Sequence, residues 1–270
     1  MARWYSFFIV LFFSNILFAD IVIINSFQNF GSGSATCPSS LKAYYRFEDG
    51  ALTTDSEGTN TLTNNGGIVA NTTDYKEGSA SADFERSGAD DYFNITDSNL
   101  DTGFPLKSGE NNENMTIFCW IRLESNGNAM NIVGKYNSTY GTRSWKVTIG
   151  SDNKIYLYGG YNSGSAYETS SGHASTLSTE TWYGVSITLD SDNNYRIRLY
   201  DNTASVLGSD ITDTFSNDVS ITTADLIIGA QGAGATPTYY YDGEIDKLVI
   251  YNEELTTDQI DDIAEATCPD

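Results

Sequence analysis

The sequence predicts an all-β protein, an antiparallel two-sheet β-sandwich with little helix. Short segments rich in β-branched and aromatic residues recur along the chain, and clusters of Gly, Asn, Asp and Ser separate them. The chain has 24 glycines against 4 prolines, which favours many tight turns. Of its 270 residues, 40% are hydrophobic, so the chain can bury a sizeable core.

Eleven segments have the composition and alternation of strands. They are 41–47, 82–84, 92–95, 115–123, 130–136, 145–149, 154–158, 182–189, 195–200, 225–228 and 244–251. Two polar turn sequences, 150–153 and 190–194, join neighbouring segments and predict hairpins. The best candidate for a helix is 256–264, where Thr257 could cap a short turn. Because no long polar interval divides residues 37–268, we expect one sandwich domain there.

The amino terminus has the layout of a secretory signal peptide, with a basic residue before the apolar run 4–18. Cleavage after Ala19 would make residues 1–19 the signal peptide. Residues 21–24 extend the apolar stretch, so an uncleaved membrane anchor is the alternative. Residues 20–36 end in the composition of a flexible linker. In both cases we expect a secreted protein or one at the cell surface.

The three cysteines are informative in an exported chain. Cys37 and Cys268 each lie in the tetrapeptide Ala-Thr-Cys-Pro, and the two copies bracket the predicted domain. A disulfide between the ends of the domain is the simplest explanation. The alternative is that the second copy begins another repeat of a longer precursor. Cys119 alternates with apolar residues in its strand segment, which predicts an unreactive core thiol.

Charge and histidine content exclude several classes of function. Fourteen Lys and Arg against 36 Asp and Glu give a formal net charge of −22. We therefore expect no nucleic-acid partner, because phosphate backbones bind basic surfaces. The single histidine, His173, excludes any site built on two imidazoles. It lies in a loop of small residues, where we expect it to be exposed.

Several segments, in order, resemble the laminin G-like domains of the concanavalin A-like lectin and glucanase superfamily. They include Met-Thr-Ile-Phe-Cys-Trp-Ile at 115–121 and Gly-Glu-Ile-Asp-Lys-Leu-Val-Ile-Tyr-Asn at 243–252. The other resembling segments are 41–50, 55–60, 84–95 and 181–187. The resemblance implies a concanavalin A-like jelly-roll sandwich. It does not decide the function, since this architecture hosts lectins, adhesive modules and hydrolases.

The hydrolases of the resembled superfamily carry Glu-x-Asp-x-x-Glu on one strand. The nearest sequence here has Glu244 and Asp246, but Val249 takes the position of the acid/base carboxyl. Retaining glycoside hydrolysis needs two carboxyl groups about 5 Å apart. We therefore predict no catalytic residues and a protein that is not an enzyme.

The resemblance also implies a structural calcium ion between the first loop and the closing strand. The corresponding ligands in this chain are Asp55, Asn60 and Asp246. Calcium prefers hard oxygen ligands, which this acidic chain has in abundance. Asp246 shares a strand face with apolar residues and needs a partner. A metal ion, a lysine or backbone N–H groups could each supply it.

Carbohydrate binding calls for aromatic platforms beside polar side chains. Two tyrosine clusters have this character, one along a predicted strand and one after the glycine-rich loop 229–234. The predicted ligand-binding residues are Tyr156, Tyr158, Tyr161, Tyr239, Tyr240 and Tyr241. The alternative is that these tyrosines simply cover the faces of the sandwich, where aromatic residues are favoured.

Three functions are therefore open at the level of sequence. The leading hypothesis is a secreted, non-enzymatic, lectin-like module that binds glycan or another extracellular surface ligand. The second is a structural or adhesive surface component, cellular or viral, without a sugar pocket. The third is a divergent glycoside hydrolase. The expected partner is a carbohydrate or an extracellular protein surface, with membrane contact only if the amino-terminal segment is uncleaved.

Overall fold

The computed structural model describes residues 37–87, 91–139 and 141–268. The predicted signal peptide and linker lie outside the described residues and stay predictions, as do the limits of the predicted domain. Among the described residues, one α-helix, α1 (Thr257–Ala264), and one short 3-10 turn accompany the strands. No helix in this part of the chain is long and apolar enough to cross a bilayer.

The described residues form fifteen strands in two antiparallel sheets. In chain order, they are β1 (Leu41–Tyr45), β2 (Thr63–Asn65), β3 (Val69–Asn71), β4 (Ser81–Phe84), β5 (Tyr92–Ile95), β6 (Met115–Leu123), β7 (Met130–Asn137), β8 (Thr142–Ile149), β9 (Ile155–Tyr161), β10 (Ala166–Thr169), β11 (Trp182–Leu189), β12 (Asn194–Tyr200), β13 (Ile211–Thr214), β14 (Leu226–Ile228) and β15 (Gly243–Tyr251). The first sheet has the order β13-β12-β11-β6-β15-β4-β3, with β1 also paired to β15. The second has the order β10-β9-β8-β7-β14-β5-β2. The predicted all-β sandwich is confirmed.

Each of the eleven predicted segments overlaps one of these strands, and four strands were missed. The missed strands are β2, β3, β10 and β13, and all four are terminal strands of the two sheets. They are three or four residues long, and all but β3 are at least half polar. Short polar strands at a sheet edge protect the protein from edge-to-edge association. The same polarity removes the apolar alternation on which the prediction depended.

The main core lies between the two sheets and is filled by strand alternation. The core-facing residues of β6, β8 and β9 are Met115, Ile117, Cys119, Ile121, Leu123, Trp145, Val147, Ile149, Ile155 and Leu157. This arrangement agrees with the face predicted for β6. The intervening residues of β8 and β9 consequently lie on the outer face of the second sheet.

Helix α1 and the segments beside it cover part of the outer face of the first sheet. Its residues Ile260 and Ile263 belong to a second buried cluster with Phe118 and Trp120 of β6. The N-cap of α1 is Thr256, so the predicted cap at Thr257 is wrong by one position. A capping side chain must stand before the first helical residue, which is Thr257, so the cap is Thr256. Thr256 forms a capping box with Gln259.

Cys37 and Cys268 form a disulfide in the structure, with their Cα atoms 5.3 Å apart. The bond ties the residues before β1 to the residues after α1. Cys119 is a buried free cysteine, and burial raises the pKa of its thiol to about 12. A thiol with so high a pKa stays protonated and unreactive at neutral pH.

We expect the double substitution Cys37→Ser, Cys268→Ser to lower the free energy of unfolding. The disulfide spans 231 positions of sequence, and the chain-entropy model sets the loss at up to about 5 kcal/mol. Denaturant unfolding of the variant and the oxidised wild type measures the difference. Peptide mapping without reduction is the control, and a peptide that links Cys119 to either partner would contradict the assignment.

Candidate functional site

The outer face of the second sheet carries a cavity of about 480 Å³, which we call the tyrosine cavity. Strands β7 to β10 supply its floor, and the loop between β14 and β15 supplies one wall. Its aromatic residues are Tyr136, Tyr158, Tyr167 and Tyr239. Its polar residues are Ser138, Arg143, Lys146, Thr148, Gln231 and Thr238. Four aromatic rings and six polar side chains therefore face one cavity.

Strand register brings these side chains together. Lys146 on β8 lies opposite Tyr158 on β9 and opposite Gly134 on β7. A Cβ atom added at Gly134 would lie 2.6 Å from the Cβ of Lys146, so only glycine fits beside the lysine. The ring centre of Tyr167 on β10 lies 5.7 Å from that of Tyr158 and 6.4 Å from that of Tyr136.

Lys146 is the most buried cation of the tyrosine cavity, with 6% of its surface exposed. Its Nζ lies 4.1 Å from the ring centre of Tyr158 and 4.9 Å from that of Tyr136. The ammonium group also donates a hydrogen bond to Oε1 of Gln231. Burial lowers the pKa of Lys146 to about 8, because removal from water disfavours the charged form.

Arg143 stands at the edge of the same cavity. Its guanidinium group donates to the carbonyl oxygens of Ser138 at 2.7 Å, Gly164 at 3.0 Å and Ser165 at 2.8 Å. The guanidinium carbon lies 6.0 Å from the ring centre of Tyr167. Carbonyl oxygens therefore orient the cation without neutralising its charge.

The glycine-rich loop forms the wall of the tyrosine cavity by folding back on itself. Gly229 has φ +83°, and a Cβ atom there would lie 2.4 Å from the ring of Phe84, so glycine is required. Two backbone hydrogen bonds of 2.8 and 2.9 Å then pair Gln231 with Thr238. This pairing carries the side chain of Gln231 to Lys146.

Tyr239, which directly follows Thr238, has a strained backbone conformation. Its φ is 54°, a left-handed value that costs a residue with a side chain about 1 to 3 kcal/mol. The backbone N–H of Asn131 donates to its carbonyl oxygen at 2.9 Å. Half of Tyr239 is exposed, and the Nζ of Lys146 lies 5.6 Å from its ring centre. The ring thus forms an open rim over the lysine.

The structure brings two of the six predicted tyrosines, Tyr158 and Tyr239, into this cavity. Tyr156 shares the outer face of β9 but donates its hydroxyl to Asp152 at 2.8 Å, outside the cavity. Alternation along β9 places Tyr161 on the opposite face. The ring of Tyr240 lies 6.4 Å from that of Tyr92.

The prediction of a ligand role for Tyr241 is wrong, because the side chain is fully buried. Its ring lies in the main core, 6.0 Å from that of Phe84. Its hydroxyl oxygen lies 3.1 Å from the carbonyl oxygen of Arg122 and 3.2 Å from that of Glu244, which share its single proton as acceptors. Residues of the cavity that the sequence did not reveal are Tyr136, Tyr167, Lys146, Arg143 and Gln231. Their proximity depends on strand pairing, which a single sequence does not display.

The predicted calcium ligands do not form one site. Asp55 and Asn60 lie together, with the Nδ2 of Asn60 2.7 Å from Oδ2 of Asp55 and 3.1 Å from Oδ2 of Asp101. The other oxygen of Asp55 accepts from the backbone N–H of Tyr44 at 2.9 Å. Hydrogen-bond donors therefore take the positions that a cation would need.

Asp246 has separate partners, so the prediction that it joins Asp55 and Asn60 is corrected. Its Oδ2 accepts from the backbone N–H groups of Lys76 at 2.7 Å and Glu77 at 2.8 Å. Its Oδ1 accepts from that of Lys247 at 2.7 Å. Backbone N–H groups, one of the alternatives left open, thus satisfy this carboxylate. Burial raises its pKa to about 7.

Another acidic group has the geometry of a possible metal site among the described residues. Carboxylate oxygens of Asp83, Glu85 and Glu124 lie within 4.8 Å of one another. Burial and neighbouring acidic groups raise the pKa of Glu124 to about 7, and the same causes raise those of Asp83 and Glu85. A divalent cation would relieve this repulsion. Sequence reasoning missed the group because pairing among β4, β15 and β6 assembles it.

Glu244, the first residue of the incomplete hydrolase pattern, has protein partners for its carboxylate. Both oxygens of Glu244 lie 3.0 Å from Nη1 of Arg122, and one accepts from Asn71 at 3.0 Å. Val249 is fully buried.

The predicted exposure of His173 is wrong, because the His173 side chain is fully buried. Its loop folds onto β9, its backbone N–H donates to Ile155, and burial lowers its pKa.

The chain belongs to the concanavalin A-like lectin/glucanases superfamily, whose sequence profile matches residues 87–261. No curated protein matches the chain significantly in sequence. The structure is similar to domain 4 of AbnA, a GH43 extracellular arabinanase from Geobacillus stearothermophilus, in complex with arabinotriose. The TM-score is 0.59 at 18% identity, over 83% of this chain and 98% of that one.

Receptor-binding domains of botulinum neurotoxin have the same fold. The binding domain of neurotoxin DC in complex with rat synaptotagmin II has a TM-score of 0.62 at 16% identity, over 85% of this chain and 52% of that one. The same domain in complex with SialylT has a TM-score of 0.60 at 16% identity, over 86% and 52%. The chain spans about half the length of these toxin domains. Identities this low establish the fold alone.

Proposed function

We propose that the protein is a secreted, non-enzymatic recognition module whose tyrosine cavity binds a glycan. The observation that carries the proposal is the meeting of four tyrosine rings and six polar side chains at one cavity. The apolar face of a sugar packs on an aromatic ring, while its hydroxyl groups need nearby donors and acceptors. The tyrosine cavity offers both.

The similar structures support this choice of ligand class without deciding it. One is a domain in complex with arabinotriose, another is a toxin domain in complex with SialylT, and a third is bound to the protein synaptotagmin II. A glycan and an extracellular protein surface are both compatible with the fold. Half-exposed Tyr167 and Tyr239 beside buried Lys146 favour a small polar ligand over a purely structural face.

Binding without cleavage is the second part of the proposal. Glycoside hydrolysis needs carboxyl groups on both sides of the scissile bond. The described residues that line the tyrosine cavity include no Asp or Glu. Glu244, the first residue of the incomplete hydrolase pattern, is held by Arg122. The disulfide and the signal-like amino terminus support placement outside the cell.

A glycan array tests the proposal directly. We expect wild-type protein to bind, and Tyr158→Ala to weaken the affinity for the best glycan about tenfold, because loss of one aromatic platform costs about 1.4 kcal/mol. Tyr156→Ala is the matched control, since Tyr156 shares the strand face but lies outside the cavity. An array without any binding would refute the proposal, as would an equal loss in both variants.

Calcium binding, which the family resemblance implies, stays a prediction, and its candidate ligands are now Asp83, Glu85 and Glu124. When folding raises the pKa of a carboxyl group, the protein loses stability as the pH rises from the ordinary pKa of that group toward its raised pKa. For Glu124 this range runs from 4.5 to about 7. Without metal, we expect the melting temperature to fall across this range. Calcium at pH 7 should raise the melting temperature again, because an ion that binds only the folded state adds about 2.7 kcal/mol to the free energy of unfolding at a hundredfold excess over Kd.

Glu124→Gln should remove most of the calcium response and reduce the pH dependence, leaving the part that comes from other carboxyl groups of raised pKa such as Asp246. Glu253→Gln, which removes an exposed charge elsewhere, is the matched control. Magnesium at equal ionic strength controls for general relief of repulsion in a chain of net charge −22. Equal melting temperatures in calcium, magnesium and chelator would show that the acidic group holds no calcium.

A further inference from the structure

The charge inside the tyrosine cavity is opposite to the charge of the whole chain. The net charge of the protein is −22. The charged residues that line the cavity are Lys146 and Arg143, and no carboxylate lines it among the described residues. The cavity is therefore a cationic site on an acidic protein.

Lys146 differs from the other buried lysines in the described part of the chain. Lys135 is fully buried and forms an ion pair with Asp97. Lys247 is fully buried and forms one with Glu77 at 2.7 Å. Lys146 has the neutral amide of Gln231 and tyrosine rings as its neighbours. The described residues thus provide a counter-ion for two buried lysines and none for the third.

A buried charge without a counter-ion is unfavourable, and aromatic rings compensate only part of that cost. Burial is the cause that lowers the pKa of Lys146, and no carboxylate of the described residues opposes it. Unlike Lys135 and Lys247, this lysine faces a cavity large enough for a sugar residue. A ligand can therefore bring the missing negative charge.

We propose that the tyrosine cavity recognises an acidic glycan, whose carboxylate or sulfate group binds the ammonium group of Lys146. This inference rests on the proposed function, because it specifies the class of glycan bound there. The sugar ring packs between the tyrosines, and its anionic group accepts a hydrogen bond from Nζ. Arg143 adds positive charge at the cavity edge, where its own hydrogen bonds to carbonyl oxygens hold it in place.

The test compares carboxylated, sulfated and neutral glycans on one array, followed by titration calorimetry of the best acidic glycan and its neutral derivative. The neutral derivative is the methyl ester of a carboxylate or the desulfated form of a sulfate. We expect Lys146→Met to weaken binding of the acidic glycan on the order of 10- to 100-fold, since a hydrogen bond to a charged group contributes that much. Lys154→Met, which removes a cation from the turn between β8 and β9, outside the cavity, should leave the affinity unchanged.

Comparison of the two glycans on wild-type protein decides the question even if Lys146→Met does not fold. The neutral derivative should bind 10- to 100-fold more weakly than the acidic form. Equal binding of both forms, or an unchanged affinity in folded Lys146→Met, would overturn the acidic-glycan proposal and leave the proposed glycan-binding function intact. Failure to bind any glycan would overturn both. The array separates carboxylate from sulfate as the source of the charge.

Discussion

Strand β15 is buried along its whole length, and the first sheet depends on how its charged residues are satisfied. The strand pairs with β1, β4 and β6, so it can leave no charge without a partner. Glu244 binds Arg122 of β6, and Asp246 binds the backbone before β4. Lys247 binds Glu77 and, at 2.8 Å, the carbonyl oxygen of Ile263 in α1. These side-chain contacts tie β6, the segment before β4 and α1 to one strand, so the acidic residues that resemble catalytic groups serve as internal attachments.

The two sheets differ in how their outer faces are covered. Helix α1 packs on the outer face of the first sheet, where residues such as Trp120 are buried. The outer face of the second sheet has a loop across it instead, and that loop encloses the tyrosine cavity without filling it. Lys146 lies there, and no carboxylate of the described residues pairs with it. A buried cation without a counter-ion among the described residues therefore lies at a cavity that a ligand can reach, and this asymmetry between the sheets supports the proposed recognition function.

The sequence predicted the parts of the fold that depend on local alternation. The apolar face of β6 is an example, because every second residue from Met115 to Leu123 faces the main core. Edge strands such as β13 were missed because exposed polar residues carry no such period. Tyr241 was misassigned because a tyrosine before a buried strand has the same local sequence whether its ring faces solvent or core. The cavity itself needs the register of Lys146 with Tyr158, which only tertiary structure defines.

A crystal structure of the protein with its best array glycan is the most direct measurement of the central claim, that the outer face of the second sheet is the recognition surface. We expect electron density for the sugar against the rings of Tyr158 and Tyr167, with a polar group of the sugar at hydrogen-bond distance from Nζ of Lys146. Density for the sugar at the acidic group of Asp83, or on the first sheet, with the tyrosine cavity empty, would contradict it.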